Sequence, residues 1–167
     1  RSSSSAPAGL RSSGSPGPTP TPAPGLPDLN ILPGTTYSPP SPVAGDVMSF
    51  TSAVVQNTGR GSAGGSSTSL KIDVHNTGSY DVFPSDMPTG PLGPGAGEIE
   101  NWFSVWTATA GTHKFTVCAD ATSLVTESDE TNNCSSVVFT VAVPSTISGR
   151  VFVDTNENQA QDFGELG

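Results

Sequence analysis

The sequence has 167 residues and a formal net charge of −9, from 15 acidic against 6 basic side chains. Such a chain lacks the basic surface that sequence-independent nucleic-acid binding or docking on anionic lipid requires. No apolar run is long enough to span a bilayer, so membrane insertion is not expected of this segment, and cations are its more natural small partners.

Residues 1–26 read RSSSSAPAGLRSSGSPGPTPTPAPGL, with only Leu10 and Leu26 offering sizeable apolar side chains. A segment of this kind cannot bury enough surface to offset its ordering entropy. It is expected to be a disordered tether, its PTPTPAP part in extended polyproline II. The chain opens on Arg1 rather than Met, which suggests a mature form or a fragment.

From Asp28 onward the pattern is that of strands and turns. Asp28 to Leu32 reads as a short strand closed by Pro33-Gly34. Val47 to Gln56 follows, with Met48, Phe50 and Val54 on one parity, and Asn57-Thr58-Gly59 ends it. Leu70, Ile72 and Val74 alternate with Lys71, Asp73 and His75, the period-2 signature of a half-buried strand. Tyr80 to Phe83 reads as another short strand. Glu98 to Thr107 is apolar on both parities, with Ile99, Phe103 and Val105 against Trp102 and Trp106, so it is central or covered on its outer face. Phe115, Val117 and Ala119 share one face of His113 to Ala119. Val137, Phe139, Val141 and Val143 share one face of Cys134 to Val143. No 3.6-residue period runs through any segment. About seven short strands, with turn signals roughly every ten residues, give an all-β, antiparallel β-sandwich.

The two cysteines sit on consecutive strands. Cys118 shares parity with Lys114 and Thr116, and Cys134 with Ser136 and Thr140, both away from the expected core. Antiparallel neighbours place such residues side by side, so a disulfide is expected, worth about 3 kcal/mol, with two free thiols as the alternative. A disulfide implies an oxidising compartment.

Four features could carry chemistry. The loop Asp154 to Glu165 puts side-chain oxygens of Asp154, Asn156, Asn158, Asp162 and Glu165 at relative positions 1, 3, 5, 9 and 12, with the Ala160 carbonyl at position 7. That spacing wraps hard ligands around one point and suits Ca²⁺, although Gln159 stands where a glycine is usual. The plainer reading is a solvated polar tail. A second acidic loop holds Asp120, Glu127, Asp129, Glu130 and Asn132, beside Asn133. It is either a divalent-ion or partner site, or a set of turn caps with solvated acids. Trp102 and Trp106, at i and i+4 of a strand, could form an aromatic contact for sugar, or pack inside the sheet. His75 and His113 fit no nucleophile or zinc pattern, and Asp73 with His75 gives a base and an orienter at best. Asn133-Cys134-Ser135 matches the N-glycosylation pattern but lies at the expected disulfide.

The stretch from Pro27 to Val143 resembles the bacterial cell-adhesion-related domain, CARDB. The residues that carry the likeness are Pro27-Asp28-Leu29, Ser41-Pro42-Val43-Ala44-Gly45-Asp46, Val54-Val55-Gln56-Asn57-Thr58-Gly59 and Pro94-Gly95-Ala96-Gly97. Most specific are Val117-Cys118-Ala119-Asp120 and Val125-Thr126-Glu127-Ser128-Asp129-Glu130-Thr131-Asn132-Asn133. The resemblance implies an immunoglobulin-like sandwich from secreted or surface-anchored multidomain proteins, used for adhesion or spacing, with no catalytic residues.

Ile147-Ser148-Gly149-Arg150-Val151-Phe152-Val153 and the Asp154–Glu165 loop resemble the opening of the B-type repeat of staphylococcal Sdr-like surface proteins, whose repeats form a calcium-stiffened stalk. The expected organisation is therefore a tether over 1–26, a sandwich over 27–143, and over 144–167 a short linker with the truncated start of a second domain. The expected role is display and spacing of neighbouring domains of one polypeptide outside the cell, with a host or cell-surface protein or glycan as partner. The alternatives are an accessory carbohydrate-binding or spacer module of a secreted hydrolase and a self-associating extracellular filament subunit.

Overall fold

The structure, a computed structural model, describes residues 25–149 together with Val151, Val153 and Glu157. Eight strands form two sheets. β1 (Leu29–Ile31) and β2 (Thr36–Ser38) both pair antiparallel with one edge of β3 (Val47–Asn57), and β6 (Gly97–Thr107) pairs with its other edge. The second sheet runs in the order β5 (Met87–Thr89), β4 (Ser66–Asp73), β7 (Gly111–Cys118), β8 (Cys134–Val141). Every strand pairing is antiparallel; an isolated parallel bridge joins Val43 to Ala142. The all-β sandwich read from the alternation is the architecture found.

The core lies between the sheets. Met48, Phe50, Val55 and Trp102 face Leu70, Ile72, Phe115, Val117 and Phe139, all nearly or fully buried. Phe50 meets Phe115 edge-on at 4.9 Å between ring centroids, and Tyr37 of β2 meets Phe139 of β8 at 4.9 Å. Each large apolar side chain so buried contributes about 1.5–3 kcal/mol.

Simple alternation fails at two places, both bulges. Val54 was expected inward with Met48 and Phe50, but Ser52 adopts φ 61° and the ladder slips between Phe50 and Ala53. Beyond the slip, Ala53, Val55 and Asn57 are buried and Val54 is turned outward. The facing strand bulges at Ser104, φ 54°. Each displaced N–H finds a side chain across the pair. Ser52 N–H donates to Asn101 Oδ1 and Ser104 N–H to Ser49 Oγ, both at 3.0 Å. A bulge frees a backbone donor, and here a polar side chain accepts it.

Other expectations shift at element ends. β4 stops at Asp73, and Val74–Asn76 forms a 3-10 turn with His75 at φ 67°, so Val74 and His75 do not continue the strand. Tyr80–Phe83 is reduced to a single bridge between Val82 and Ile72. β8 ends at Val141, leaving Val143 exposed rather than inward. β2 and β5, three residues each, have no alternating signature and were not anticipated.

Candidate functional site

Residues Leu26–Leu29, which lead into the sandwich, lie between two loops. On one side is the Asn57–Gly61 turn. Asn57 is fully buried: its Oδ1 accepts from the N–H groups of Asp28 (3.1 Å) and Gly59 (3.0 Å), and its Nδ2 donates to the carbonyls of Gly61 (2.8 Å) and Leu92 (2.9 Å). All of its strong hydrogen-bonding capacity is used. The turn packs so closely that a Cβ on Gly59 would lie 2.5 Å from the backbone of Pro27 and Asp28, and one on Gly61 2.0 Å from Gly25 O. Glycine is needed there for space. The Arg60 and Gly61 N–H groups donate to Leu26 O, and Thr58 N–H to Asp28 O.

On the other side is the β7–β8 loop, which carries the second acidic set. Cys118 and Cys134 stand directly opposite in the register, with Cα atoms 4.1 Å apart and a disulfide between them. This is the narrow spacing of a non-hydrogen-bonded antiparallel pair. Asp120 turns its carboxylate back to accept from Leu124 N–H (3.1 Å) and Val125 N–H (2.8 Å). Glu130 accepts from Glu127 N–H (2.9 Å), and Asp129 from Thr131 N–H (2.9 Å) and its hydroxyl (2.6 Å). Glu127 is buried; it accepts from Leu29 N–H of β1 and from Asn133 Nδ2 (2.9 Å). Asn132 Nδ2 donates to Asp28 Oδ1 at 2.9 Å. Loss of hydration pushes the Glu127 carboxyl above its usual value, against the pull of the Leu29 and Asn133 donors. The Thr131 hydroxyl and N–H hold Asp129 below its usual value.

These acids thus act as acceptors for backbone N–H groups, and among the described residues no three metal-ligating side chains converge. A shallow depression of about 210 Å³ beside the disulfide is lined by Lys71, Asp120, Ser123, Glu130 and Asn133. A larger one, about 320 Å³, lies over the incoming segment beside Asp28, Arg60 and Ser128. Of the first oxygen-rich loop, Asp154, Asn156, Asn158, Ala160, Asp162 and Glu165 all lie outside the described residues.

Trp102 and Trp106 do not make an exposed sugar platform. Trp102 is 1% exposed and its Nε1 donates to Ser85 O at 3.0 Å. Trp106 is half-buried, its ring 4.9 Å from that of His113. The inward parity of β6 belongs to the tryptophans, and Ile99 and Phe103 face solvent instead.

His113 is fully buried. Its Nδ1 accepts from His75 N–H (3.0 Å), and its Nε2 lies 2.8 Å from Thr109 O, which makes it a neutral, Nε2-protonated ring. Burial lowers its pKa. Asp73 does not orient His75. Its carboxylate accepts from Thr77 N–H (2.7 Å), Gly78 N–H (2.8 Å) and Lys114 Nζ (3.3 Å).

The immunoglobulin-like sandwich, its disulfide, and a loop whose acids fold back on the main chain define a class of disulfide-bearing β-module. The CARDB family model matches residues 26–137, two thirds of the chain, and the chain belongs to that family. Two solved structures share the fold. One is the CARDB domain of a Pyrococcus furiosus protein, crystallised in complex with di-metal ions; it is 20% identical, with TM-score 0.51, covering 71% of this chain and 96% of that one. The other is a domain of a Methanosarcina acetivorans protein assigned by name to the cell surface; it is 20% identical, with TM-score 0.50, covering 70% of this chain and 92% of that one. Among curated proteins no relative matches.

Proposed function

We propose that the chain is an adhesive and spacing module of a bacterial extracellular or cell-surface multidomain protein, without enzymatic activity of its own. The observation that carries this reading is CARDB membership in a sandwich whose buried Asn57, Glu100 and Glu127 side chains are engaged with its own backbone and with other side chains. His113 and the buried acids Asp73, Glu100, Asp120 and Glu127 have structural partners, and among the described residues the sequence pattern of His75 and Asp73 is not realised as a paired base and orienter. Its partners would be neighbouring domains of the same polypeptide and a host or cell-surface protein or glycan. Beads coated with the full 167-residue chain should be retained on cell surfaces or glycan-coated slides above bare beads. Turnover of ester, glycoside or peptide substrates by the purified chain would overturn the reading.

Ca²⁺ belongs to this proposal through the Asp154–Glu165 loop, as the stiffening ion of an Sdr-like second domain. The spacing of its oxygens supports it. Calorimetric titration with CaCl₂ should show uptake that Asp154→Ala together with Glu165→Ala abolishes. Uptake unchanged in that variant would remove the loop from the proposal.

Filament formation is the second reading, favoured by one observation. β8 is an edge strand with no charged residue from Cys134 to Val141, and Pro42–Ala44 covers only its end at Ala142. Such an edge is a template for pairing with another chain. Size-exclusion chromatography over a concentration series would detect it.

A further inference from the structure

We propose that the disulfide-closed β7–β8 loop is a clamp that holds the incoming strand β1 on the sandwich, with Glu127 as its pin. β1 is only three residues long and pairs with β3 alone, at its Val55–Asn57 end. A short edge strand at the start of a domain is where fraying concentrates. Yet Leu29 and Ile31 are buried parts of the core, so the strand must be kept in place.

The β7–β8 loop belongs to the other sheet and crosses to reach it. Ser128 N–H donates to Pro27 O at 2.8 Å, Asn132 Nδ2 holds Asp28 Oδ1, and the Glu127 carboxylate accepts from Leu29 N–H. Three successive residues of the incoming segment are thus gripped by one loop. Glu127 is the only one of the three gripping residues whose side chain is buried between its partners, and it ties Leu29 of one sheet to Asn133 beside β8 of the other.

The loop contains no strand or helix. Its shape rests on the carboxylates of Asp120, Asp129 and Glu130 bonded to its own N–H groups, and on the bond between Cys118 and Cys134, sixteen residues apart. Closing the loop covalently removes conformations in which Glu127 is away from Leu29. The disulfide, on this view, acts at a distance: it stabilises a strand to which it is not bonded. The clamp stands on this geometry whatever the module adheres to.

Amide hydrogen exchange of the full chain tests it. The reporters are Leu29 N–H and Thr58 N–H, which donates to Asp28 O, with the amides of β4 and β7 as internal reference. In the Cys118→Ala/Cys134→Ala variant, both reporters should exchange about tenfold faster while reference amides away from the cysteines stay within about twofold. Glu127→Ala, which keeps the disulfide, should give the same local pattern. Reporters that move no more than the reference amides in Glu127→Ala, or amides that all accelerate together in the cysteine variant, would overturn the clamp.

Discussion

Two buried carboxylates, Asp73 and Glu100, sit in opposite electrostatic situations. Asp73 ends β4 and has no exposed surface, yet it accepts from two backbone N–H groups, the Thr77 hydroxyl and the Lys114 ammonium. Burial by itself would raise its pKa, but these donors together hold the carboxyl below its usual value. Glu100 of β6 is 6% exposed and reaches toward β5 of the other sheet, where its one donor is the Thr89 hydroxyl at 3.0 Å, itself 2.7 Å from the Thr68 hydroxyl. Desolvation pushes its carboxyl above the usual value, and the nearby Glu98 charge adds to that. Donor count, more than depth, decides whether a buried acid keeps its charge.

The largest break in this comparison is Asp73→Ala. It leaves the Thr77 and Gly78 N–H groups without their acceptor, and should lower the melting temperature by roughly 5–10 °C at neutral pH. A carboxyl with a lowered folded pKa stabilises the fold above its unfolded pKa, and that contribution is lost as pH falls through the folded value. The gap between wild type and Asp73→Ala should therefore narrow on acidification below the ordinary aspartate value of 3.8. Thermal melts over a pH series would check both parts; a gap independent of pH would show that the charge of Asp73 is not what matters.

Glu100→Gln should act in the opposite sense and more weakly. A raised carboxyl favours the fold when protonated; that contribution is fully present below the unfolded pKa and is lost as pH rises through the folded one. Removing the charge should raise the melting temperature by a few degrees at pH 7, and the gain should vanish below the ordinary glutamate value of 4.5. A loss of stability at neutral pH would mean that the ionised form is the better partner of Thr89. The smallest effect belongs to Lys114→Met. Its ammonium is partly exposed and Asp73 keeps its other donors, so a shift within about 2 °C is expected.

The outline of the sandwich was readable because burial alternates in β8 as far as Val141, and in β7 the parity of His113, Phe115 and Val117 faces the core even though Thr116 and Cys118 on the other parity are buried too. The cysteine pairing followed from the same parity. The slip at Ser52 was not readable, because its cause is Asn101, forty-nine positions away on the facing strand. Asn57 and Glu127 were noticed without the contacts that place them. Asn57 reads as the end of a strand, which it is, and Glu127 as part of an ion or partner site or as a solvated acid; what the sequence hides is that each is placed by partners far along the chain: Asp28 and Leu92 for the first, Leu29 for the second. Short strands such as β2 and β5 leave no periodic trace, since three residues cannot show a repeat.

The direction of β8 has a mechanical consequence. It begins at Cys134, beside the loop that grips Pro27–Leu29, and runs to Ala142, where Pro42 and Ala44 bond the opposite end. The polypeptide therefore comes in at one pole and goes out at the other, roughly 25 Å further on at the rise of an eight-residue strand. Modules wired this way thread in series like beads. In a tandem array, tension would pass through the bonds at the two poles of each sandwich, and each added copy would lengthen the string without branching it.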